Sequence, residues 1–199
     1  MAKLNIWKTG LSITLIMLTL MAPSEKTLGS VIKLVYLHGA MSWVISLLLI
    51  ITGVIAAGSL ANKNWYATAR ASLKVSLGFQ LVNMAMVPVV TGLTWGVLFA
   101  WQEPRVILTV FLLGLTLAIY LIEDSFAYTK VGSLLLSLPG VVRLITLGRI
   151  GRLMHPSNPV GSSDSIAIKG FSLGILLVAL ALSLVWLVDM SRREKREKT

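Results

Sequence analysis

The sequence predicts an all-α integral membrane protein: a six-helix transmembrane bundle with both termini cytoplasmic and an interfacial helical stretch after the fifth helix. Three observations carry that expectation. Of 199 residues, 56% are hydrophobic and only 13% charged, against about 45–50% and about 25% in a soluble domain. Apolar runs recur along the chain, near the roughly 20 residues that about 30 Å of hydrocarbon demands. Acidic residues are missing from the centre of every run. Water could not solvate a fold with a mean hydropathy of +0.84, whereas lipid faces such a surface directly. Six crossings with short loops use up the chain as one integral membrane domain.

The first run, 4–22, carries Lys8 near enough to its end to snorkel. A cleaved signal peptide competes for this stretch. However, Met21-Ala22-Pro23 puts proline where a small-residue cleavage pattern belongs, which favours a retained helix. A polar loop precedes the second run, 31–60. Residues 61–74 form a polar connection with Lys63, Arg70, Lys74 and the interfacial pair Trp65 and Tyr66. The third run, 75–99, contains Asn83 and Pro88. The charged turn Trp101-Gln102-Glu103-Pro104-Arg105 leads to the fourth, 106–122, which stops at Glu123-Asp124. The fifth, 131–148, should bend at Pro139 and continue as the interfacial stretch to Met154. After a loop over 155–169 the sixth run covers 171–188, and 190–199 reads as a charged cytoplasmic tail.

Lysine and arginine set the orientation. With six crossings the termini share a side, and that side holds eleven of the 18 basic residues. The positive-inside rule therefore puts both termini in the cytoplasm, in a multi-pass protein of the cell (inner) membrane. The net charge of +10 is explained by loops and run ends facing anionic headgroups. No aromatic-interleaved basic face is present, so nucleic acid is not an expected partner. The chain has no cysteine, which excludes disulfides, thiolate metal sites and thiol nucleophiles. Phosphate-binding glycine motifs, zinc-protease motifs and intramembrane acid relays are likewise absent, and the chain does not read as an enzyme.

On this topology both histidines reach the outer surface, His38 at the start of the second helix and His155 in the last outer loop. The turn with Trp101, Glu103 and Arg105 lies between them in sequence. Taken singly, each has an ordinary reading. A histidine near a helix end is usually an interfacial hydrogen-bonding group, and Trp95 and Trp101 suit an aromatic belt. Arg143 is either a residue snorkelling to headgroups or a functional ionisable group. Asn83 and Gln80 read as interhelical glue. Two imidazoles on one surface, with arginines to meet carboxylates, would also suit a bis-histidine haem site.

Three stretches carry a resemblance to a known family. They are Tyr36-Leu37-His38 with the preceding Val31-Ile32-Lys33-Leu34-Val35, then Val90-Thr91-Gly92-Leu93-Thr94-Trp95-Gly96, and last Leu138-Pro139 followed by Leu153-Met154-His155. The chain resembles the CcmC-type proteins (haem exporter protein C) of the cytochrome c assembly family. That resemblance implies non-covalent haem b with His38 and His155 as axial iron ligands, and Trp95, Trp101, Glu103 and Arg105 around it. It also implies delivery to a haem chaperone, alongside ABC-type exporter subunits and a small single-helix subunit. Arg149 and Arg152 as propionate partners are an inference from charge. The family's tryptophan-rich loop departs here to Phe99-Ala100-Trp101-Gln102-Glu103-Pro104-Arg105, with Glu as the acid and most tryptophans gone. A non-haem-binding structural or transport subunit that retains the fold is therefore the alternative.

The orientation is directly testable, because the native chain offers no competing thiol. A Ser157→Cys variant should react with a membrane-impermeant maleimide on intact cells, and a Thr199→Cys variant only after lysis. The reverse pattern would overturn the charge-based topology.

Overall fold

The computed structural model describes residues 2–149, 151, 160 and 163–196. Six α-helices account for most of them: α1 Ala2–Met21, α2 Ile32–Ser59, α3 Tyr66–Trp95, α4 Pro104–Ile122, α5 Lys130–Thr146 and α6 Ile166–Arg196. No strand occurs among the described residues. Five of the helices are long and apolar enough to cross a membrane. The chain is a multi-pass, all-α membrane bundle whose natural surroundings are lipid. The exception is α5, whose 17 residues extend about 25 Å at 1.5 Å per residue, short of a full crossing.

The helix ends refine the sequence expectations. The polar connection before the third run is mostly helical, because Asn62 accepts a hydrogen bond from the Asn64 amide (3.0 Å) and starts a 3-10 turn that runs into α3. α6 continues through the expected tail to Arg196, and Glu194 within it is buried. α5 ends at Thr146, with Leu147 extended and Gly148 at φ 76°. A turn thus stands where the interfacial helix was expected to begin, and most of that stretch, to Met154, lies outside the described residues. Lys8 does not snorkel. It is buried, pairs with Asp189 of α6 and lies 3.8 Å from the centre of the Trp186 ring.

At the centre of the bundle, α2 packs against α3 and α5 and also touches α6, while α1 lies on α6 and α4 on α3. One apolar core joins α1, α2, α3 and α6 through Leu15, Val44, Leu48, Val75 and Ile175. A second joins α2 to α5 near the end that carries the termini, through Ala56, Tyr66, Leu73, Ile119 and Leu136. Lipid tails are as apolar as leucine, so close backbone approach and interhelical hydrogen bonds hold such helices together. The α2–α5 seam shows both. A Cβ on Gly140 would sit 2.8 Å from the Gly53 Cα and also collide with the Leu49 carbonyl. Nearer the termini, Ser59 donates to Ser133 (2.7 Å). The α2–α3 seam adds Thr52 donating to Ser72 (2.7 Å) between fully buried hydroxyls.

The turn into α5 is fixed from two sides. Tyr128 adopts the left-handed φ of 61° and places its ring 4.5 Å from that of Tyr66. The Thr129 hydroxyl caps the helix by accepting from the Gly132 amide (3.0 Å). The loop between α1 and α2 closes on Glu25, whose carboxylate accepts from the Thr27 and Leu28 amides at 2.9 and 3.1 Å. Those amides, Leu28 foremost, hold its carboxyl below the usual glutamate range.

Gly140→Ala should therefore lower thermal stability in detergent by about 1–3 kcal/mol, the usual cost of overpacking. Gly114→Ala, at a position with no atom within 4 Å of a new Cβ, should be neutral. Equal melting temperatures for the two variants would refute the close α2–α5 contact.

Candidate functional site

The bundle has two polar ends of different character. At the end carrying both termini, acids and bases from α3, α6 and the turn after α4 are paired. Arg70 of α3 meets Glu123 Oε1 at 2.5 Å, also pairs with Asp124, and reaches Glu194 at 3.5 Å. Lys74 binds Glu194 at 2.5 Å, and the Tyr66 hydroxyl donates to Glu123 at 3.1 Å. Glu123 is fully buried. A carboxylate in that position is tolerated only when paired and hydrogen-bonded. The sequence signal was present in Arg70 and Lys74 one helical turn apart, with acids after α4 and near the end of α6. Reading those acids as a loop and a solvated tail concealed the match.

At the opposite end lie the residues singled out from the sequence. His38 sits in the second turn of α2, half-buried with its Nδ1 shielded from solvent. Trp95 is the last residue of α3, and Gly96, left-handed at φ 72°, ends that helix. The Thr91 hydroxyl donates to the Leu98 carbonyl at 2.6 Å and pins the following turn. Trp101 is 56% exposed and stacks on Phe99 with centroids 5.3 Å apart and planes 17° from parallel. The pair forms a flat apolar plate at the rim of the bundle. Glu103 is fully buried at the start of α4, where its carbonyl accepts from the Val106 amide (3.0 Å). Pro104 takes the first helical position, where a missing N–H costs nothing. Arg105 follows, half-buried. Arg149 is exposed in the turn after α5. His155 and Arg152 lie outside the described residues.

Between these ends runs a polar seam of which the sequence showed only the parts. His38, Ser42 and Ser46 are four residues apart and share one face of α2. The Ser42 hydroxyl donates to the His38 carbonyl (2.9 Å) and accepts from the Asn83 amide group of α3 (3.3 Å). The Ser46 hydroxyl donates to the Ser42 carbonyl (2.7 Å) and accepts from Arg143 Nε of α5 (2.9 Å). Deeper still, Gln80 donates to Thr116 of α4 (3.2 Å). Asn83 and Gln80 thus do join helices. The Asn83 Oδ1 and Gln80 Oε1 atoms, however, are buried with no hydrogen-bond partner. Arg143 does not snorkel outward, because its guanidinium turns into the bundle.

Among the described residues no group of three or more His, Asp or Glu side chains gathers as a metal site. A porphyrin asks for less from the protein: an axial imidazole, an apolar plate and cations for its carboxylates. His38, the Phe99–Trp101 pair and the arginines of this end are of those types.

Removing Arg70 would leave the buried Glu123 carboxylate uncompensated. Arg70→Ala should cost about 3–5 kcal/mol in a detergent unfolding measurement. Lys74→Ala should cost less, since Arg70 still faces Glu194. A smaller loss for Arg70→Ala than for Lys74→Ala would contradict the pairing. Compared with protein-family models and with curated proteins, the chain matches none.

Proposed function

We propose that this protein handles haem in cytochrome c maturation. On this reading it binds haem b non-covalently at the outer face of the cell (inner) membrane and delivers it to a haem chaperone. The observation that carries the reading is the gathering, at one end of the bundle, of His38, Trp95, the Phe99–Trp101 plate, Glu103 and Arg105. The resemblance to CcmC-type proteins implies a role for His38, Trp95, Trp101, Glu103 and Arg105 among them. His38 would hold the iron, with its imidazole carried on a helix whose face Ser42, Asn83 and Ser46 fix by hydrogen bonds. His155 would hold it as well. The exposed Trp101 ring would supply an apolar surface for the porphyrin, and cations of this end would meet its carboxylates.

The haem supplies the redox-active iron, and the chain holds and presents it without making or breaking a covalent bond. ABC-type exporter subunits and a small single-helix subunit are the partners this reading implies. The alternative is a structural or transport subunit that keeps the fold without haem. The loss of tryptophans from residues 99–105 supports that alternative.

A visible spectrum of the detergent-purified protein, expressed with ample haem, tests the reading. The native chain should show a low-spin haem band, and His38→Ala and His155→Ala should each abolish or convert it. Colourless native protein would favour the structural-subunit alternative.

A further inference from the structure

Arg143 occupies the last turn of α5, the usual place for an arginine to reach out to headgroups. It does the opposite. A helical side chain leans toward the helix N-terminus, and here the guanidinium descends until Nε donates to Ser46 Oγ at 2.9 Å. Ser46 lies at mid-length of α2. The neighbouring Ile45 and Leu49 pack on Leu108 and Leu112 of the shorter α4, which fixes the same level near that helix's middle. Lipid phosphates stand about half of the 30 Å hydrocarbon thickness away from such a level.

No carboxylate of the described residues lies within ion-pair distance of this cation. Glu123, Asp124, Asp189 and Glu194 at the opposite end, by contrast, each have a base. An ionisable group inside a span is a functional-site candidate by default and calls for a partner. The seam itself leads outward from Arg143, since Ser46, Ser42 and His38 follow one another along a single face of α2. His38 stands two turns, about 12 Å, above Ser46.

We propose that Arg143 receives a carboxylate of the bound ligand, and that on the haem reading above this carboxylate is a porphyrin propionate. His38 would hold the iron, and Arg143 would hold a carboxylate of the same ligand. Ser46 keeps Nε occupied, so the terminal nitrogens present a planar fork to the two carboxylate oxygens. Arg143 thus selects for an anionic porphyrin over a neutral one.

Equilibrium titration of the full-length protein in detergent, with haem and with haem dimethyl ester, tests this. The ester keeps the iron and ring but lacks both negative charges. Native protein should bind haem about tenfold or more tighter than the ester, the worth of one charge-assisted contact. Arg143→Ala should lose that preference while binding the ester as the native chain does, which also shows that it is folded. Arg143→Lys should recover part of it, and Arg192→Ala, at the opposite end of the bundle, should retain it. If Arg143→Ala binds haem undiminished, or loses haem and ester alike, the carboxylate role falls while haem binding stands. Native protein that binds neither compound overturns the haem reading and this inference with it.

Discussion

The antiparallel contact of α2 with α5 sets the level of every polar group between them. Gly140 touches the α2 backbone at Leu49 and Gly53, and Ser133 meets Ser59 two turns farther toward the termini. With the register locked at these points, Arg143 has no choice but to stand opposite Ser46. The short α5 then stops beside the middle of α2 and leaves the first turns of α2, with His38, beyond its reach. One glycine pair therefore decides the depth of a cation and the setting of an imidazole. Since lipid offers no hydrophobic force between helices, such contacts and their hydrogen bonds specify the arrangement.

The two ends of the bundle solve the burial of charge differently. At the end carrying the termini, Arg70, Lys74, Glu123, Asp124 and Glu194 neutralise one another, and Lys8 and Arg193 do the same for Asp189. Sealed in this way, the end ties α1, α3, α4 and α6 together. At the other end and along the seam, a guanidinium with no carboxylate partner among the described residues and two buried amide oxygens without donors remain. A structure that was only scaffold would gain stability by pairing or removing such groups. Asn83 and Arg143 reach the α2 face that bears His38 through Ser42 and Ser46.

How much of this was legible depended on the range of the interaction. The apolar runs showed the helices, because a bilayer imposes length and composition locally. Asn83 and Gln80 were readable as polar residues on a span, but Ser42 and Thr116 as their partners were not. The seam became visible only when three helices were brought together. Arg143 allowed two readings, and the direction its side chain takes separates them. Glu123-Asp124 and Glu194 looked like solvated loop and tail, since nothing local marks an acid that will meet Arg70 more than 50 residues away.

The sequence by itself determined the solvent and the element type: a chain with 56% hydrophobic and 13% charged residues must bury its backbone in helices within lipid. It also determined which residues had chemistry to offer, His38, Trp101, Glu103 and Arg143 among them. Only the tertiary structure decided which charges neutralise one another and which stand alone. Pairing of that kind is a matter of distance between helices remote in sequence, and register at a glycine contact, not composition, fixes that distance.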